Sequence, residues 1–253
     1  MPVKPGCEAF SFEGGNVGAL MVHGFTGSPF SMRPWGEYLA SNGLTVLGPR
    51  LPGHGTRWQE MNLTRWQDWY GEAERGFDRL RSACEQVFVM GLSMGGTLAL
   101  RLAEERGDDV AGIVTVNPSL LTLRRDAKLL PLVANVVPSI KAIGDDVKKP
   151  GVTEHAYDRT PLRAAVSLAH LWRVTAADLG KITQPLLTFR SANDHVVEAA
   201  SGRLLLSAVG SEDVREVVLE DSYHVATLDN DAELIFRESL AFVRAHTTVQ
   251  GLT

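Results

Sequence analysis

Cysteine is almost missing from this chain: Cys7 and Cys84 are the only two in 253 residues. Two thiols so far apart make neither a disulfide framework nor a zinc pattern, which points to a reducing compartment. No apolar run approaches the ~20 residues of a membrane span. The opening Met1-Pro-Val-Lys-Pro-Gly-Cys7 has no apolar core, so no secretory leader is expected. Basic excess is lacking too. The net charge is −5, with no stripe of lysine and arginine, which argues against a nucleic-acid partner. No repeat and no low-complexity linker divides the chain. What remains is ordinary globular composition, 44% hydrophobic and 22% charged, long enough for one α/β domain with a generous core.

The stretch 87–100, Val-Phe-Val-Met-Gly-Leu-Ser93-Met-Gly-Gly-Thr-Leu-Ala-Leu, organises the rest. An apolar β-type run enters Gly91-Leu-Ser-Met-Gly95 and leaves as a helix-forming run. Gly-x-Ser-x-Gly alone also fits an ordinary glycine turn at a strand end. Between a strand and a helix it reads as a nucleophile elbow. The serine hydroxyl must project from a strained turn, so small neighbours are required, and Gly91, Gly95 and Gly96 supply them. The following helix points its positive end at the place where negative charge develops.

Around the elbow, apolar runs alternate with amphipathic ones. Residues 8–13 and the turn Gly14-Gly15-Asn16 predict a small hairpin with a strand over 17–22. That strand ends in His23-Gly-Phe-Thr-Gly-Ser28-Pro29, and Ser28 with Pro29 predicts a helix to about residue 40. A His-Gly loop after an early strand supplies one oxyanion donor, and the residue after the nucleophile supplies the other. Here those donors would be the backbone N–H groups of Phe25 and Met94. The loop fits no phosphate-binding glycine pattern. His23 and His54 read as structural, not as base or metal ligand. Trp66, Trp69 and Tyr70 stand at helical spacing, as packing rather than a stacking platform. A helix over 72–83, a strand over 110–116, a strand over 184–190, a strand over 214–219 and a helix over 231–245 complete an α/β fold. A mainly parallel sheet with helices on both faces is expected.

That rhythm breaks between residues 119 and about 170. No strand is expected there, and Pro131 and Pro138 favour short helices over 129–140. A segment this long between sheet strands is expected to be a cap over the C-terminal edge of the sheet, within a single domain over 1–253. Two further loops follow strands: Ser191-Ala-Asn-Asp194-His195 and Glu220-Asp-Ser-Tyr-His224. Ser93, Asp194 and His224 occur in the chain order of an α/β-hydrolase triad. Serine alone is weakly nucleophilic; His224 would take its proton, and Asp194 would orient and stabilise the imidazole. Glu198 and Asp221 are rival acids and His195 a rival base. Glu198 lies further from the strand end, Asp221 too near His224, and His195 adjoins the acid.

With these motifs in place, the chain resembles the bacterial monoacylglycerol lipases and their carboxylesterase relatives. The matching segments are 20–27, 31–34, 49–56, 91–97, 156–161, 194–197 and 222–229, nearly the whole length. The resemblance implies the same triad and oxyanion donors, no cofactor and no metal, and a lipid ester as substrate. It implies that Glu154 contacts glycerol hydroxyls and that Ile143 shapes the pocket. Arg57-Trp58 and the 120–140 stretch depart from the pattern, which bears on acyl length rather than on reaction type. Hydrolysis of monoacylglycerols is expected, with a broader carboxylesterase as the alternative and a non-catalytic receptor on the same fold as a third reading. A cytoplasmic protein is expected, with transient membrane contact through the cap left open.

Overall fold

A computed structural model describes residues 1–124, 129–142 and 144–248. Its centre is a seven-stranded sheet in the order β1-β3-β2-β4-β5-β8-β9. The strands are β1 (Phe10–Phe12), β2 (Val17–Val22), β3 (Thr45–Gly48), β4 (Gln86–Leu92), β5 (Gly112–Val116), β8 (Leu186–Ser191) and β9 (Val214–Leu219). Every pairing but the first is parallel. β2 and β5 are buried at every residue. Strands covered on both faces need continuous apolar runs, which is what these segments carry.

Side-chain alternation sorts the core into two layers. Leu20, Val22, Val87 and Val89 face one side, under α3 (Trp66–Arg81), α4 (Met94–Arg106) and α6 (Leu162–Asp178). Ala19, Met21, Phe88 and Met90 face the other, with Trp35 and Leu39 of α1 (Arg33–Ser41) and Ile235 and Leu240 of α8 (Ala232–His246). Trp69, in the expected aromatic helix, is fully buried.

The expected N-terminal hairpin is not formed. β1 pairs antiparallel with β3, on the far side of β3 from β2. The Gly14–Asn16 stretch crosses the start of β3 instead of folding back. Gly15 N–H donates to the Gly43 carbonyl at 2.7 Å, and Gly14 N–H to Thr45 Oγ1 at 3.1 Å. A Cβ on Gly14 would collide with the Leu44 carbonyl. Two glycines together therefore mark a close crossing here, not a tight turn.

Nor is the stretch after β5 free of strands. β6 (Ser139–Lys141) and β7 (Arg159–Pro161) form a separate antiparallel pair. Three-residue strands are too short for a period-2 pattern, and proline flanks one and ends the other. Arg159 closes the pair, its Nε donating to Ser139 Oγ at 2.7 Å. Short helix is present as expected, in α5 (Leu130–Val133) with Pro131 in its first turn. α2 (Trp58–Met61) and α7 (Ala200–Ala208) complete the labelled helices.

Candidate active site

β4 delivers the chain to Ser93, which stands at φ 57°, ψ −118°, and α4 begins at the next residue. A left-handed φ at a non-glycine residue costs roughly 1–3 kcal/mol and persists only where the surroundings enforce it. Here Ser93 N–H donates to the Val116 carbonyl at 2.9 Å, and its own carbonyl accepts from Thr97 N–H at 3.2 Å and Ser119 N–H at 3.3 Å. A Cβ on Gly95 would run into the Val22 carbonyl, so only glycine lets the helix start this close to β2.

Beside the elbow lies the 23–27 loop, close enough that a Cβ on Gly24 would stand 3.4 Å from the Ser93 Cβ. His23 shapes it from beneath. Its Nε2 accepts from Leu51 N–H at 3.2 Å, which puts the proton on Nδ1, 3.0 Å from the Gly24 carbonyl. Burial and the neighbouring His54 keep the His23 ring neutral. Thr26 turns at φ 63°, its carbonyl accepting from Tyr157 N–H at 3.2 Å. Phe25 packs edge-on against Trp69. Met94 opens α4, so its N–H is among the donors a helix leaves without an internal partner.

Across the cavity, Asp194 follows β8 and His224 follows β9. Their pairing is direct, His224 Nδ1 to Asp194 Oδ2 at 2.7 Å, with both side chains less than a tenth exposed. The other Asp194 oxygen accepts from Val196 and Val197 N–H, both at 2.8 Å. Burial alone would raise the Asp194 pKa, but the His224 charge and these hydrogen bonds hold it below the usual value. Burial alone would lower His224. The Asp194 charge and hydrogen bond, with help from Glu154 and Asp146, outweigh it and raise the imidazole.

The rival acids and base are engaged elsewhere. Glu198 accepts from Thr122 Oγ1 and Leu123 N–H, both at 3.0 Å. Asp221 pairs with Lys148 at 2.6 Å, and His195 with Asp146 at 2.8 Å.

Ser93, His224, Phe25 and Glu154 line one cavity of about 320 Å³. Leu121, Leu130, Ile140, Leu168 and Trp172 give it an apolar wall, and Asp146 and Glu198 also reach it. Glu154 is half-buried, with Oε2 close above Gly27. Burial lifts its pKa to about 7, against the pull of His224. Ile143 lies outside the described residues. Among the described residues, no group of three or more His, Cys, Asp or Glu side chains is placed to hold a metal.

Several supporting residues escape a reading by motif. Asn117 Nδ2 donates to Ser191 Oγ at 2.9 Å and to the His224 carbonyl at 2.8 Å, while its Oδ1 accepts from Ser191 N–H at 2.7 Å. One amide thus joins the ends of β5 and β8 to the loop that carries His224. Its only sequence signal is an Asn-Pro directly after a strand. Trp172 is oriented by Nε1 donating to Ser119 Oγ at 3.1 Å.

Residues 18–231 match the family described as serine aminopeptidase, S33. The chain belongs to that family of α/β hydrolases. A thermostable monoacylglycerol lipase of Bacillus sp. (strain H-257) is 42% identical over 97% of each chain. A carboxylesterase of Bacillus subtilis (strain 168) is 26% identical over 93% of this chain and 96% of its own. A solved structure from work on LipS and LipT, two metagenome-derived lipolytic enzymes, is 40% identical and superposes with a TM-score of 0.94, covering 97% of this chain and all of that one. Within the S33 family setting, the protein is a serine hydrolase on an α/β-hydrolase sheet.

Proposed function

We propose that the protein hydrolyses monoacylglycerols to glycerol and free fatty acid through an acyl-enzyme on Ser93. The carrying observation is the His224–Asp194 pair in the same cavity as Ser93, with a half-buried carboxylate at Glu154 and an apolar wall beyond. Ser93 Oγ attacks the ester carbonyl as His224 takes its proton. The N–H groups of Phe25 and Met94 hold the oxyanion. His224 then returns the proton to the leaving glycerol oxygen, and water, deprotonated by the same imidazole, releases the fatty acid. Asp194 stabilises the imidazolium in both halves. Glu154 recognises the glycerol hydroxyls. The 42% likeness to a monoacylglycerol lipase supports this reading.

A broader carboxylesterase is the second reading, favoured by the likeness to the Bacillus subtilis enzyme along nearly the whole chain. Rates on monoacylglycerols and on simple alkyl esters, in wild type and Glu154→Ala, separate the two. Selectivity that is the same in both proteins would discard the glycerol site. A fluorophosphonate label that persists in Ser93→Ala would discard the nucleophile.

We read residues 119–170 as a cap on a single domain, meeting lipid transiently. Leu129, Leu132 and Val136 are 59%, 70% and 85% exposed there, which supports that contact. Among the described residues no helix is long and apolar enough to cross a membrane. Two buried free thiols suit a cytoplasmic setting. Co-sedimentation with vesicles, lost in Leu132→Asp, tests the contact.

A further inference from the structure

The loops that carry the acid and the base leave different strands, yet one carboxylate from a third segment holds both. Asp146 Oδ2 accepts from the backbone N–H of His224 at 3.1 Å and of His195 at 3.2 Å. Its Oδ1 meets the His195 ring at 2.8 Å, and its main-chain carbonyl accepts from Val225 N–H at 3.0 Å. The side chain is only 11% exposed. A buried carboxylate with its oxygens satisfied this way fixes the spacing of whatever donates to it.

The segment bearing Asp146 is itself clamped. Asp145, at φ 52°, accepts Glu154 N–H at 2.7 Å. Two and three residues past Asp146, the N–H groups of Lys148 and Lys149 donate to the buried Asp229 at 2.7 and 2.9 Å. Asp229 also accepts from Tyr223 N–H at 2.9 Å, next to the base. One short run, 145–154, therefore sets the height of Glu154 on one side and the backbone of His224 on the other.

We infer that Asp146 is a positioning residue for the acid–base pair, coupling the seating of the Glu154-bearing segment to the placement of the His224 imidazole. This rests on the reading of Ser93, Asp194 and His224 as the triad. Glycine or alanine at 146 would leave two loop N–H groups without their shared acceptor, and the imidazole would lose its fixed approach to Ser93. The charge acts as well. Asp194 faces His224 from the β8 loop and Glu154 and Asp146 face it from the 145–154 run, while Lys148 is occupied by Asp221. All three carboxylates favour the protonated ring.

Asp146→Ala and Asp146→Asn separate position from charge. Asparagine keeps one oxygen for both N–H groups but carries no charge. The rate of Ser93 labelling by a fluorophosphonate and the pH profile of kcat/KM on a soluble short-chain ester are the readouts. Asp146→Ala is expected to label about tenfold more slowly, the scale of losing one charge-assisted hydrogen bond. Asp146→Asn is expected to recover most of that rate, with the acidic limb of its profile moved to lower pH. An Asn profile that superimposes on the wild type, or wild-type labelling of the Ala variant, would overturn the inference; if the Ala variant does not fold, the Asn profile decides. Failure of the wild type itself to label at Ser93 is a separate result, and removes the triad reading beneath it.

Discussion

The Glu154 carboxyl and the His224 imidazole share one cavity, where the charged ring favours loss of the carboxyl proton and the carboxylate favours a proton on the ring. Burial lifts Glu154 to about 7, and the ring draws it back; Glu154 in turn raises the ring. Near neutral pH Glu154 is therefore poised between an acid and a carboxylate. A carboxylate accepts the hydroxyls of glycerol more strongly than the acid does. The preference for monoacylglycerol over an alkyl ester of equal acyl length is expected to rise severalfold from pH 6 to pH 8. In Glu154→Gln the preference is expected to be flat. The ratio of the two kcat/KM values across that range checks this, and a pH-independent ratio in the wild type contradicts it.

Asp194→Asn is expected to leave the fold intact and lower kcat by about 10³–10⁴. The amide would offer an N–H where the ring Nδ1 needs an acceptor, and would favour the wrong tautomer. The Val196 and Val197 N–H groups keep an oxygen partner, so the loop has no reason to open. Turnover with matched melting temperatures is the measurement; near-wild-type kcat would remove Asp194 from its role.

Acid should unfold this protein through its buried histidines. Burial holds His54 down at about 4 from 6.5, and His23 is lowered too. His54 Nε2 is buried with no hydrogen-bond partner among the described residues. The unfolded chain takes up both protons once pH falls below about 6.5, while the folded chain resists. Stability is thus full above pH 6.5 and falls between 6.5 and 4. At ~1.4 kcal/mol per pH unit of displacement, His54 alone accounts for roughly 3 kcal/mol. Urea midpoints at pH 7 and pH 4.5 should differ less in His54→Phe; an equal drop in both proteins would refute the assignment.

Two glycine substitutions should part company. Gly95→Ala drives a methyl into the Val22 carbonyl and is expected to cost roughly 3 kcal/mol or more, with loss of Ser93 labelling. Gly71→Ala sits within α3, where the new methyl meets only Arg75 Nη1 at 3.5 Å. It should stabilise by ~0.5–1 kcal/mol. Thermal melts of the pair test both signs.

What the sequence could tell depended on how local the cause was. Ser93 was legible because strand, glycines and helix all act within a dozen residues. Asp194 and His224 were legible through their place after apolar runs. The partner of β1 was not, since Gly14 and Gly15 serve a crossing over β3, about thirty residues distant. β6 and β7 were hidden because three-residue strands show no alternation. Asp146 and Asn117 work through the backbone of loops far along the chain, and no spacing in their own neighbourhood signals that.

Leu121, Leu130, Ile140 and Glu154 come from one uninterrupted run of chain between β5 and α6, while Ser93, His224 and Asp194 follow the ends of other strands. On the proposed reading, much of the substrate's surroundings thus lies on one stretch of the polypeptide, apart from the residues that break the bond. A graft of that run from a relative could exchange one acyl preference for another in a single step, provided the donor brings a carboxylate at position 146 to dock it.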